Sequence, residues 1–318
     1  MTVPARAAAR PWLLAALVFM AAMVVAACSS SGPASTAAAS TASASGSPSS
    51  SQVAASASTR PSASHRVTHR PSPRPSHPSP RASVPADPAR PPAVPAGRPL
   101  AGRVVLLDPG HNGANGTHLA QINQLVNIVN GWKACDTTGT ATNSGYTESA
   151  FNFDVALRTA AILRAEGATV VLTRSSDSGV GPCINQRAAI GNLAHAAAAV
   201  SIHADGGPPT GVGFQVILPG DVGPNAGIIA ASDRLGSWLH AAFHSVTAEP
   251  YATYLGGGSG YTTRTDLGGL NLSTVPKVFI ECANMRSASD AGRVVSSSWR
   301  QLAAAGISSG ITHFLLGR

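Results

Sequence analysis

Four residues of the chain have the types from which a hydrolytic metal centre can be built: His111, Glu148, His203 and Glu281. Two neutral imidazoles supply nitrogen ligands, and one ionised carboxylate supplies oxygen and cancels a charge. With a fourth position left to water, such a set makes a catalytic zinc site. The metal brings the pKa of its water towards about 7 and polarises a carbonyl. A second carboxylate, off the metal, then takes the water's proton and passes it to a leaving amine. On this assignment His111, Glu148 and His203 hold one Zn2+ ion and Glu281 is the base. Spacing alone does not select it, because the four lie far apart and no His-Glu-x-x-His motif occurs. The competing assignment makes His111 and His203 packed structural histidines and pairs Glu281 with an arginine.

The surrounding residues predict how the four are held. Arg103–Asp108 is a short apolar run ending in Pro109-Gly110, hence a buried strand and a turn. Glu148–Glu166 reads as a helix capped by Thr147 and ended by Gly167, with Val155, Thr159, Ile162 and Leu163 on one face. Thr169–Arg174, Ala198–His203, Gly213–Leu218 and Lys277–Glu281 read as further strands. Ile184–His195 and Ala226–Val246 read as helices, and Ala288–Leu316 as one or two helices broken near Gly306. Strands alternating with helices predict an α/β fold: a single globular domain over 100–318 with a largely parallel, twisted central sheet flanked by helices. Sites in such sheets form beyond the carboxyl ends of the strands. His111 follows the first strand, His203 closes the third, and Glu281 closes Val278-Phe279-Ile280, while Glu148 opens a helix. As a helix-opening group, Glu148 should be ionised by the backbone dipole. Burial at a strand end should raise Glu281.

The rest of the chain is of another kind. Its first 100 residues hold nine of the 22 Lys+Arg and one of the 14 Asp+Glu, so this third carries the whole net charge of +8. The remainder is balanced, which argues against a basic nucleic-acid-binding domain despite a pI near 10.0. Residues 1–27 read as a bacterial lipoprotein signal peptide. Arg6 and Arg10 flank the run Trp12–Ala27, which is shorter than the roughly 20 residues of a spanning helix. The run ends in Val25-Ala26-Ala27-Cys28, and Cys28 is the candidate for lipid attachment. Residues 28–99 read as a disordered linker. Beyond Cys28 they contain Val but no Leu, Ile, Met, Phe, Tyr or Trp, too little apolar area to offset the entropy of ordering. The expectation is an exported chain, lipid-anchored to the outer face of the cell membrane and reaching into the wall. His65, His69 and His77 belong to this tether.

Ordered motifs in the globular part sharpen the chemistry. Leu107-Asp-Pro-Gly-His111, Thr147-Glu148, Leu172-Thr-Arg174 with Asp177, Arg187 with Asn192, Ser201-Ile-His203-Ala-Asp205, and Pro276-Lys-Val-Phe-Ile-Glu281 with Asn284 follow one another. This set resembles the zinc-dependent N-acetylmuramoyl-L-alanine amidases, over nearly all of 101–318. The resemblance implies zinc on His111, Glu148 and His203, with Glu281 catalytic. It implies a peptidoglycan or muropeptide substrate cut between N-acetylmuramic acid and L-alanine. The segment between His111 and Glu148 is longer than the family commonly has, and it reads as a surface loop or hairpin. Ser201–Glu281 has no room for the long autoinhibitory helix of some division amidases, and Gly256–Gly260 reads as a flexible loop there. The chain thus resembles the compact mycobacterial-type members. A monomer is expected, with no nucleic-acid partner.

Beyond Cys28, the cysteines Cys135, Cys183 and Cys282 allow three pairs. Cys282 follows the candidate base at the end of a core strand, where burial makes it inert. Cys135 and Cys183 lie in loop-like segments and are predicted to be joined, a closure worth roughly 4 kcal/mol on the loop-entropy account. Arg174, Asp177 and Arg187 read as loop-stabilising. His118, His240 and His244 read as surface or packed residues; His195, at a helix end, reads as structural, with a neutral ligand as its alternative. Two other functions fit the same residues: another zinc hydrolase, such as a peptidase or deacetylase, and a non-catalytic wall-binding lipoprotein.

Overall fold

The computed structural model describes residues 97–318. The signal assigned to 1–27, Cys28 and nearly all of the linker assigned to 28–99 lie outside the described residues. In chain order the elements are β1 (Val104–Pro109), α1 (Leu119–Ile122), β2 (Leu125–Asn127), β3 (Trp132–Ala134), α2 (Glu148–Ala165), β4 (Thr169–Leu172), α3 (Ile184–Leu193) and β5 (Ala198–Asp205). There follow β6 (Gln215–Pro219), α4 (Ile229–Thr247), β7 (Tyr261–Arg264), α5 (Gly268–Asn271), β8 (Lys277–Asn284), α6 (Ala288–Val294) and α7 (Ser297–Leu316). Among the described residues no helix is long and apolar enough to cross a membrane.

Six strands form one sheet in the order β4-β1-β5-β8-β6-β7. The first four are mutually parallel. β6 runs antiparallel to β8 and parallel to β7. This is the largely parallel sheet expected, with one antiparallel step. Side chains alternate across a strand, and the sequence sorts them accordingly. Val105, Leu107, Val200, Ile202, Val278 and Ile280 join the main apolar core with α2, α4 and α7. Leu106 and Ala199 face the other way, into a small cluster with Ala196 and Val275. Asp108, Ser201, Lys277 and Phe279 lie on that second face, as do His203 and Glu281 by the same alternation.

Thr147 caps α2, its Oγ1 accepting from the Ala150 N–H at 3.4 Å. Val155, Thr159 and Leu163 are buried on one side of that helix. The C-terminal helices break elsewhere than the glycine suggests. The gap lies at Val295-Ser296, where Ser296 caps α7, and the helix runs unbroken through Gly306. Gly306 and Gly310 are contact points with α4: a Cβ on Gly310 would stand 2.6 Å from Leu239 Cα. A small residue there lets two backbones approach. The Gly256–Gly260 segment forms a short 3-10 turn and leads into β7, a strand the sequence pattern did not reveal.

Candidate active site

His203 and Glu281 are register partners on the neighbouring strands β5 and β8. His111 stands in the turn beyond β1, whose Gly110 N–H still donates to Ile202 O on β5 at 3.0 Å. Arg174 ties this turn to the start of α2. Its guanidinium donates to Pro109 O at 3.0 Å, Gly110 O at 3.3 Å and Ser149 O at 2.8 Å, and pairs with Asp177 at 2.8 Å. The result brings Glu148 over the strand ends. One ligand atom from each of His111, Glu148 and His203 lies within 4.8 Å of the others. His203 Nδ1 is 2.9 Å and His111 Nε2 is 3.3 Å from the same oxygen, Glu148 Oε1. The two imidazoles meet edge-on, with centroids 4.9 Å apart, and Phe279 stacks on His203 at 5.2 Å. Three donors converging on one point are what a small cation replaces, and this nitrogen and oxygen set suits zinc.

Glu281 is half-buried and, among the described residues, forms no ion pair with an arginine. Its Oε2 is sealed from water and has no hydrogen-bond partner. Burial pushes its carboxyl well above the usual range, and the Glu148 and Asp205 carboxylates push it further. Burial acts the same way on Glu148, but the His111 and His203 nitrogens outweigh it and hold that carboxyl well below the usual range. Burial would lower His111, yet Glu148 and Asp136 outweigh it and raise the imidazolium to about 10. Two carboxylates in one cleft are thus driven in opposite directions.

The segment between His111 and Glu148 holds the expected surface hairpin, β2–β3, but the residues after β3 turn inward. Leu125 and Trp132 on the β2–β3 hairpin are exposed, but Cys135 and Asp136 are buried against the site. His111 Nδ1 donates to Asp136 Oδ1 at 3.1 Å, with Thr137 O also 3.1 Å away. Asp136 Oδ2 accepts from Asn112 Nδ2 at 2.9 Å and from Arg187 Nη2 at 3.2 Å. The Thr140 N–H donates to Glu148 Oε2 at 2.9 Å. Gly139 between them has φ +74, and a Cβ there would stand 2.7 Å from His111 Cδ2 and 2.9 Å from Glu148 Oε2. Asp136, Gly139 and Thr140 were missed by sequence reasoning. The signal available was an acidic residue directly after a predicted half-cystine. Cys135 and Cys183 are joined, with sulfurs 2.02 Å apart, and Cys282 is free and buried.

Arg174 and Arg187 act as the loop-stabilising residues they were read to be. Arg187 donates to Asp108 Oδ1 at 2.9 Å and to His111 O at 3.0 Å, holding His111 at φ +53. That left-handed backbone is costly for a non-glycine residue and persists when its surroundings enforce it. Among the described residues the other histidines stand outside the cluster: His118, His195, His244 and His313 are exposed, and His240 is stacked between Tyr251 and Tyr261. A polar cleft of about 300 Å³ opens over the centre, lined by Thr138, Thr140, Asp205 and Glu281. An apolar pocket of about 220 Å³ adjoins it, sharing His111 and His203, lined by Ile184, Leu267, Gly269 and Phe279 and bordered by Lys133 and Asp266, an ion pair at 2.8 Å.

Residues 105–313 match the N-acetylmuramoyl-L-alanine amidase family, and 216 residues are 37% identical to N-acetylmuramoyl-L-alanine amidase Rv3717 of Mycobacterium tuberculosis. The chain belongs to the mycobacterial-type N-acetylmuramoyl-L-alanine amidases. The match to the M. tuberculosis protein covers 68% of this amidase and 88% of that one. The crystal structure of Ami1 from Mycobacterium smegmatis is similar at 41% identity and a TM-score of 0.64, covering 69% of this chain and 99% of that one. Apo Ami1 from Mycobacterium abscessus is similar at 40% identity and the same TM-score, covering 68% of this chain and 100% of that one. The amidase therefore hydrolyses peptidoglycan, and its centre joins two histidines and a glutamate that can hold a metal.

Proposed function

We propose that the amidase is zinc-dependent and cuts the amide between the lactyl group of N-acetylmuramic acid and L-alanine of the stem peptide. The observation that carries this reading is the convergence of His111 Nε2 and His203 Nδ1 on Glu148 Oε1, beside an unpartnered buried oxygen of Glu281. A bound zinc ion supplies a Lewis acid and an acidified water. Asp136 keeps one proton of His111 on Nδ1, so that a bound ion would displace only the proton on Nε2 and take its lone pair. Glu148, ionised and held by Thr140, cancels charge. Glu281 takes a proton from the attacking water and returns it to the leaving nitrogen. The lactyl carbonyl ends as a carboxylic acid and alanine as a free α-amine. Burial raises the affinity of Glu281 for a proton, and a nearby cation would bring it back towards the range in which it can accept one.

The experiment is metal analysis and turnover on purified wall fragments. Glu281→Gln is expected to keep one zinc per chain and to lose roughly 10²–10⁴ in kcat, about 3–5 kcal/mol of barrier. Glu148→Ala is expected to lose the metal and, with it, activity that excess zinc partly restores. An empty Glu281→Gln beside a metallated Glu148→Ala would reverse the two roles. Release of acetate, or a cut within the peptide, would replace the amidase bond by that of another zinc hydrolase. The same reading has the domain exported on the 1–27 signal, lipid-anchored through Cys28 and monomeric. What supports it is the composition of 1–99, and labelled fatty acid that stays on Cys28→Ala would overturn the anchor.

A further inference from the structure

We infer that the Cys135–Cys183 disulfide sets the metal affinity of the centre, by fixing Asp136 against His111, as well as bracing the fold. The inference rests on the zinc reading above. Asp136 is the residue bonded to Cys135 in the chain. Cys183 is the N-cap of α3, and Arg187 stands one turn into that helix, its N–H donating to Cys183 O at 2.9 Å. The bridge therefore spans the two segments whose charged side chains meet, Asp136 Oδ2 and Arg187 Nη2 at 3.2 Å. A backbone bond runs alongside it, from Ile184 N–H to Cys135 O at 2.8 Å. The other main-chain bonds of Cys135 and Asp136 stay inside the insertion, Cys135 N–H to Gln124 O and Asp136 N–H to Ile122 O, while, four residues on, Thr140 O accepts from the Glu148 N–H at 2.9 Å. Lys133–Asp266, a half-exposed pair, also ties the hairpin to the body, as do Asn271 Nδ2 to Ile128 O at 3.0 Å and Asn130 Nδ2 to Thr265 O at 2.7 Å, but these links hold the hairpin and not Asp136 itself. Of the links close to Asp136, the disulfide is the covalent one.

The consequence follows from what Asp136 does. It is a positioning residue: its carboxylate fixes the ring angle and the tautomer of a ligand histidine. Loss of such an outer partner typically weakens metal binding by roughly 10- to 100-fold. Without the bridge, the segment Cys135–Thr140 regains conformational freedom that must be lost again each time the ion is bound.

The test compares four proteins in chelator competition for Zn2+: wild type, Asp136→Ala, Cys135→Ser/Cys183→Ser, and the triple variant. Asp136→Ala and the double serine variant are each expected to bind zinc at least tenfold more weakly. The triple variant should be no weaker than Asp136→Ala by more than about twofold, because the bridge acts through the residue already removed. The Co2+-loaded proteins should show the same shifted absorption bands in both variants, a signature that lowered stability alone does not move. A folded double serine variant with wild-type zinc affinity overturns the inference, as do fully additive losses. If Glu148→Ala also kept wild-type affinity, the zinc reading itself would be the part that fails. Should the double serine variant not fold, the metal-loaded wild type is opened with a phosphine reductant and its thiols are capped with iodoacetamide. Zinc release to chelator should then speed up at least tenfold, and an unchanged rate overturns the inference.

Discussion

The two faces of the central sheet are built by opposite means. On one, strand residues and three helices form a continuous apolar layer, with Leu107, Val200, Ile202 and Val278 fully buried. On the other, the apolar cluster is small and a buried ionic chain runs beside it. Asp108 accepts from Lys277 Nζ at 3.0 Å, Arg187 Nη1 at 2.9 Å, Ser201 Oγ at 2.7 Å and Thr173 Oγ1 at 2.8 Å. Arg187 continues to Asp136, and Asp136 to His111. Apolar burial is non-directional and tolerates exchanges that keep volume. A chain of charged hydrogen bonds is directional, and each member is costly when its partner is lost. His203 and Glu281 hang on the ionic face. The difference teaches a division of labour: the apolar face contributes stability, and the ionic face contributes position.

Buried carboxylates on the two sides show the same contrast. Burial alone would raise Asp108, but Lys277 and Arg187 outweigh it and hold it well below the usual range. Glu249, beside the apolar core, is equally buried. Burial and the nearby Asp290 raise it to about 7 against the pull of the half-buried Arg293.

The largest expected effect comes from breaking the ionic face. Arg187→Ala leaves Asp108 and Asp136 buried with fewer partners, and should cost about 3–5 kcal/mol of stability. It should also weaken zinc binding, measured by chelator competition beside urea unfolding. Lost stability with wild-type zinc affinity would break the proposed division. Next is Glu249. The folded chain binds its proton more tightly than the unfolded chain, so stability should fall as pH rises from about 4.5 to about 7. At about 1.4 kcal/mol per pH unit this amounts to at most about 3 kcal/mol. Glu249→Gln should remove that slope, gaining on the wild type between pH 5 and pH 8 in thermal melts. A difference that stays constant with pH would mean that Arg293 neutralises Glu249 after all. The smallest effect belongs to the apolar face. Gly310→Ala adds helix propensity but forces α7 away from Leu239, for a net loss of about 1–2 kcal/mol. Zinc affinity should stay within twofold of wild type, and a parallel fall would show that the two faces are coupled.

The same contrast explains which parts could be read from the chain. β1, β5, β8 and α2 announce themselves by apolar runs, by a Thr cap and by the periodicity of Val155, Thr159 and Leu163. These are local signals, since a strand or helix that must bury one side repeats its apolar residues at a fixed spacing. His111, His203 and Glu281 were legible for a related reason, as polar groups at the ends of buried strands. β7 and α5 were not, because Tyr-Thr-Thr-Arg and Gly-Gly-Leu-Asn carry little periodicity and owe their form to what they pack on. The Gly306 break was misread because glycine marks both helix ends and close helix contacts, and only the position of α4 distinguishes them.

By itself, the order of residues determined the α/β architecture, the placing of four candidate side chains at strand and helix ends, and the separation of a neutral domain from a basic N-terminal third. Only the tertiary structure decided that Asp136, Gly139 and Thr140 pack on His111 and Glu148, and that Lys277 and Arg187 are buried around Asp108. The physical reason is range. Burial patterns are written into neighbouring residues, whereas a charged group's role depends on which distant partner meets it in a dry interior, where unmatched charge is costly. Asp136 and His111 are 25 positions apart, and Lys277 and Asp108 are 169 apart. No local spacing encodes such pairs.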